Sequence, residues 1–136
     1  LSPILFAAPS FNVHDKEVHM YAIGLQALRA KIRGFHVAGS TISARISKAK
    51  GKRRERLWRL KHELGTHARY HLIAYGLLRG KAYDQIERCA PNNRPNPQAV
   101  LAIMQDHDPN VRHTVASLGA ILLPAAAPTM AHEKAA

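Results

Sequence analysis

Thr41 to Leu64 read TISARISKAKGKRRERLWRLKHEL, and the role of the glycine in the middle decides the fold. Apolar residues recur at helical steps on both sides: Ile42, Ile46 and Ala49 before it, Leu57, Leu60 and Leu64 after it. Inside one long helix, Gly51 would cost about 1 kcal/mol relative to alanine; between two helices it would form the turn. Lys50, Lys52, Arg53 and Arg54 repel one another along an unbroken helix. A turn or kink at Gly51 is therefore expected.

Working outward, Asp15 is the expected N-cap of a first helix reaching about Arg33. Its apolar face would be Val18, Tyr21, Ala22, Leu25, Leu28 and Ile32. Gly34 reads as its stop, and Ser40 as the cap of the next helix. On the other side, Gly65 and Thr66 punctuate again, ahead of HARYHLIAYGLLRG (67–80). That segment is apolar nearly all round, which predicts a central helix burying Leu72, Ile73, Leu77 and Leu78, ended by Gly80.

A short helix over Ala82 to Arg88, with Tyr83 and Ile86 inward, precedes the breaker PNNRPNP. Asn96-Pro97 then pairs a capping residue with proline at the first helical position, so Val100, Leu101, Ile103 and Met104 belong to a helix. Asp106 to Asn110 reads as a turn. Val111 to about Leu122 reads as a last helix presenting Val115, Leu118 and Leu122. The expected fold is all-α: a single small domain of five to seven helices over 15–123. It lies between an extended apolar arm (1–14) and an Ala/Pro-rich, low-complexity tail (124–136).

The charge distribution narrows the function. From Arg29 to Lys61 there are twelve Lys or Arg and one acid, Glu55, so this segment carries the whole net charge of +11. The remaining 103 residues hold eight bases and eight acids and sum to zero. Such a localised excess is an electrostatic footprint for a polyanion, and solvated helix faces normally mix signs. The implied partner is nucleic acid, gripped through its phosphates. The candidate contacts are Arg45, Lys48, Lys50, Lys52, Arg53 and Arg54, continued by Arg56, Arg59, Lys61 and Arg69. If the two helices ran roughly continuously, Arg45, Lys48, Lys52, Arg53, Arg56 and Arg59 would share one flank. Trp58, in their midst, could stack on a base or anchor its helix to the core.

Other chemistries find little support. His67 and His71 stand four apart, but His62, Glu63 and His67 miss the zincin spacing, and no acid or cysteine completes a metal site. Beside Arg69 these histidines would instead extend the basic surface when protonated. The pairs Asp84–Glu87 and Asp106–Asp108 lack a nucleophile, and no P-loop or dinucleotide fingerprint occurs. One cysteine, Cys89, allows no intramolecular disulfide. No catalysis, metal or cofactor is expected.

Tyr70 to Met104 can be compared with a helix-turn-helix unit. However, the connection from Cys89 to Asn96 has eight residues where three or four are usual. The helix in the reading position, PQAVLAIMQDH, offers only Gln98 near its start to read a base edge. No apolar run reaches the roughly 18 residues that span a bilayer. The apolar face beside the basic patch is narrow for an anionic lipid surface, though Trp58 and Leu57 would help; no membrane partner is expected.

These readings converge on an intracellular, non-catalytic nucleic-acid binder in a larger nucleoprotein assembly. RNA in a ribosome-like particle stands ahead of DNA. The apolar arm would dock on other protein subunits. Two alternatives stay open: a viral or chromosomal DNA binder with a degenerate helix-turn-helix, and a helical scaffold subunit binding an acidic protein.

Overall fold

The computed structural model describes residues 13–88 and 93–122. Among them are five helices and no strand: α1 (Val13–Ile46), α2 (Gly51–Leu78), α3 (Tyr83–Ile86), α4 (Pro97–His107) and α5 (Val115–Leu122). The expected apolar arm up to residue 12, and the tail, lie outside the described residues.

Gly51 makes a full reversal. After Ile46 the chain tightens into three-residue turns, with the amides of Lys48 and Ala49 donating to the carbonyls of Arg45 and Ile46 at 3.1 and 3.2 Å. Gly51 then takes φ +62°, a left-handed conformation that glycine adopts without strain. α2 therefore runs back along α1. Phe35 of α1 stacks on His67 of α2 at 5.7 Å and meets His71 edge-on at 4.9 Å. Near the far end the Tyr21 hydroxyl donates to the Leu78 carbonyl.

Both long helices run through their expected stops. α1 passes Gly34 and Ser40 unbroken, and it is already helical at Val13, which puts Asp15 inside the first turn. α2 passes Gly65 and Thr66. Instead of capping, the Thr66 hydroxyl donates to the His62 carbonyl one turn back, at 3.1 Å. Each glycine costs helix propensity. The buried seam of Leu28, Ile32, Ile42 and Ile46 against α2 outweighs that cost, because tertiary burial supplies most of a helix's stability.

Gly80 ends α2 as expected. At φ +81° it lets its own amide donate to Leu77 and that of Lys81 to Gly76, both at 3.0 Å. This paired closure satisfies the last carbonyls. Ile86 of α3 sits over Gly76, where a Cβ would fall 2.5 Å from its side chain. Asn96 caps α4 through its side-chain oxygen, which accepts from the Gln98 and Ala99 amides at 2.9 and 3.4 Å. α4 extends to His107, and the turn is confined to Asp108–Asn110, where the Asp108 carboxylate accepts from the Asn110 amide at 3.0 Å. α5 starts at Val115, four residues later than expected, because Thr114 and Ser117 cap each other reciprocally at 2.8 and 3.0 Å.

The core lies at one end of the hairpin. Leu28, Ile73, Val100, Met104, Leu118 and Leu122 are its most deeply buried side chains, joined by Ile32, Ala74, Leu77 and Leu101. Tyr83 and Ile86 pack against it from α3. Leu72 and Val115 do not join it, at 40% and 46% exposed, and Leu78 is half-buried. α2 forms one wall of the core and is not enclosed by it, so its outer face, Leu72 included, meets solvent.

One close approach in this base is backbone on backbone. At Gly24 of α1 a Cβ would lie 1.7 Å from the His107 carbonyl oxygen, so only glycine permits α4 to approach. Nothing lies within 4 Å of the corresponding point at Gly34. Gly24→Ala is expected to push α4 off α1 and lower the melting temperature. Gly34→Ala should raise stability by about 0.5–1 kcal/mol through helix propensity alone. Thermal melts of the two variants check this contrast.

Candidate nucleic-acid interface

Among the described residues, the hairpin continues beyond Phe35 and His67 as two helices only. From Ala68, where the wall of the core begins, to Gly51 the climb is about 25 Å at the ~1.5 Å rise of a helix. Ile42 and Ile46 are buried along this stalk, and Leu57 and Leu64 are half-buried, while Leu60 faces outward.

The stalk and its tip carry nine of the ten expected cations, and Trp58 with them. Arg45 is exposed in the last turn of α1, and Lys48 and Lys50 lie in the exposed turn. Lys52, Arg53, Arg54, Arg56 and Arg59 are exposed on α2, and Lys61 is half-buried. The reversal at Gly51 rules out a single flank along a continuous helix. It gathers the cations around the end of a rod instead, with Arg45 on one helix and Lys52 to Arg56 on the other. None of these cations forms an ion pair with a described residue; the ion pair found among the described residues is Arg69–Glu87.

The start of α2 adds to the excess. Its cap, Lys50, makes no side-chain hydrogen bond, and its first turn holds no acid. Lys52, Arg53 and Arg54 therefore sit at the positive end of the helix dipole, where cations are disfavoured and an anion would be stabilised. A sequence selected only for stability would reverse these signs.

Arg69 is separated from this set. Its Nε donates to both carboxylate oxygens of Glu87 at 2.8 and 3.1 Å, its Nη2 approaches the same carboxylate at 2.6 Å, and Nη2 also donates to the Asn93 carbonyl. Tyr83 holds Glu87 from the other side at 3.1 Å. The Tyr70 hydroxyl accepts from the Asn96 amide at 2.9 Å. Together these bonds fasten both ends of the segment from Glu87 to Asn96 to α2. The pairing with Glu87, eighteen residues away, left no local signature in the sequence.

Trp58 is 48% exposed and does not anchor the core. The Lys61 ammonium lies over its ring at 4.9 Å, a cation–π contact one turn along the helix. Beside it a groove of about 460 Å³ follows one face of α2, lined by Trp58, Lys61, His62, Gly65, Thr66 and Arg69 and closed by Asn93.

Of the two histidines expected to extend the basic surface, His67 is exposed and His71 is not. His71 is buried, and its Nδ1 lies 2.7 Å from the His67 carbonyl, so the neutral ring donates there. Burial holds its pKa below the usual imidazole value; nearby Lys31 pushes the same way, against the opposing effect of the hydrogen bond. His107 is depressed for the same leading reason, and its Nε2 is buried without a hydrogen-bond partner among the described residues. Among the described residues no three His, Cys, Asp or Glu gather as a metal site. No described helix is long and apolar enough to cross a membrane.

Comparison with protein-family models, curated proteins and solved structures gives no match for this chain.

The depressed histidines set a pH dependence. Both are neutral in the fold but take up a proton near pH 6.5 once unfolded. Their contribution is complete above about pH 6.5, falls as the pH drops toward the lower folded values, and levels off below them. Melting temperature should fall between about pH 7 and 5, and the fall should be smaller in His71→Gln.

Proposed function

We propose that this chain is a non-catalytic nucleic-acid-binding protein that grips phosphate backbone with the basic tip of its projecting hairpin. The observation that carries the reading is the cluster Arg45 to Lys61: nine cations against one acid at the end of a two-helix stalk. Cations that form no ion pair among the described residues and project beyond the core meet a polyanion without first breaking such pairs. Arginines supply forked contacts to phosphate oxygens and lysines supply point charges.

A stalk of this kind suits a subunit of a larger nucleoprotein assembly, with RNA favoured. The base can be held by other subunits while the tip reaches into folded nucleic acid. Val18, Met20 and Ile23, each about half exposed near the start of α1, offer apolar surface for such a contact. Reading of a DNA major groove by α4 is less favoured. Val100, Leu101 and Met104 commit that helix to the core, and no arginine or lysine occurs along it.

A salt titration of binding tests the reading. Each phosphate neutralised contributes about 0.7–0.9 to the slope of log affinity against log salt. Arg53, Arg54 and Arg56 changed together to Gln should lower that slope by roughly 2 to 3 and weaken binding at low salt. An unchanged slope would move the phosphate contacts elsewhere. Salt-dependent binding to an acidic polypeptide but to no nucleic acid would replace the reading with a protein partner.

A further inference from the structure

The groove beside Trp58 is not explained by phosphate binding alone. A backbone grip needs cations, and the tip has them without an aromatic ring. A large indole held at the surface would ordinarily be turned inward, because its burial is worth more than its exposure. Here the ring stays out while Lys61 occupies one side of it. Arg54 stands one turn before Trp58 on the same face of α2 and His62 one turn after. At the next turn Gly65 supplies no side chain, and nothing lies within 4 Å of where its Cβ would be. The face is therefore an aromatic plate beside an open floor, with a cation at its tip end.

The far end is closed and rigid. Arg69 is bound to Glu87 and to the Asn93 carbonyl, so it serves as a wall. The Thr66 hydroxyl donates to the His62 carbonyl and keeps its lone pairs for a donor. The His62 ring is exposed and can hydrogen-bond the edge of a flat ligand.

Resting on the nucleic-acid reading above, we propose that this groove takes an unpaired nucleobase, stacked on Trp58, from a single strand whose phosphates lie on the tip cations. A duplex does not fit this chemistry. Its bases are covered on both faces by their neighbours, so an exposed indole has no π-face to meet. The floor at Gly65 admits a flat ring lying along the helix, and Arg54 sits where the adjoining phosphate would pass. RNA loops and single-stranded DNA both present this combination of free base and phosphate.

Trp58 is the only tryptophan of the chain, so its fluorescence reports on this groove alone. The test titrates the full chain with single-stranded RNA, the single-stranded DNA of the same sequence, the duplex, and polyglutamate. Both single strands should quench Trp58, and the duplex should bind with little quenching. Trp58→Ala should weaken single-strand binding roughly 5- to 150-fold, the range spanned by one base–aromatic stack. Duplex binding should change less than about twofold, since it draws only on phosphate contacts. Trp58→Phe should recover part of the loss, which a disturbed fold would not allow.

Salt-dependent single-strand binding with no quenching and no loss in Trp58→Ala would overturn the stacking proposal and leave the phosphate reading standing. Salt-independent binding, or none, to every nucleic acid would overturn both. Quenching by polyglutamate as strong as by the single strands would assign the groove to an acidic polypeptide instead.

Discussion

The antiparallel pairing of α1 and α2 is the constraint on which the rest of the molecule depends. It is set where Gly51 adopts a left-handed conformation. A straight continuation would have produced one very long rod with its cations strewn along it. The reversal instead places Phe35 on His67 and His71 and the Tyr21 hydroxyl on Leu78, so the two ends of the hairpin acquire different fates. One end becomes a wall onto which α3, α4 and α5 fold. Among the described residues, no further helix folds onto the other end.

This division separates stability from charge. Leu28, Ile73, Val100, Met104, Leu118 and Leu122 are buried in the base, along with His71, and the half-buried His107 lies there too. Arg45 to Lys61 crowd like charges at the tip and set them against the α2 dipole. Placing that repulsion beside the core would weaken both. The outermost tip charges, next to Gly51, stand about 25 Å of helix from the base, well over the roughly 8–10 Å screening length of physiological salt, and scarcely act on it; Lys61, about 10 Å away, stands nearest. The Arg69–Glu87 bond marks the boundary, where an arginine ceases to face outward and begins to fasten loops.

What was legible in the sequence was what local chemistry decides. Gly51 and Gly80 need positive φ, Asn96-Pro97 is a self-contained cap, and Ile42 with Ile46 or Val100 with Met104 show their faces by spacing alone. The all-α fold follows from these. What was not legible depends on residues far along the chain. Gly34 and Gly65 stop no helix because the opposite helix buries the turns on either side. Leu72 and Val115 lie in segments apolar on several sides, where periodicity cannot tell which face meets the core. Thr114 carries no capping-box signature, because its partner is Ser117 and not the usual Glu or Gln. For the candidate site, composition located the cations and Trp58. The groove could not be seen, since Asn93 closes it from beyond a turn and Arg69 is fixed by a distant acid.

The projecting stalk has a kinetic consequence. Amide protons exchange with solvent through the cheapest opening that frees them, and the cost of opening follows how much apolar contact it breaks. Around Gly24, Leu28 and Met104 an opening must lift α4 from α1, so exchange there reports global unfolding. From Ser47 to Arg56 an opening breaks only the end of a two-helix ladder, in a stretch where no residue is more than half-buried. Exchange should therefore be graded along both long helices, slow at the base and fast toward Gly51. The tip can thus unwind and re-form while the base stays folded.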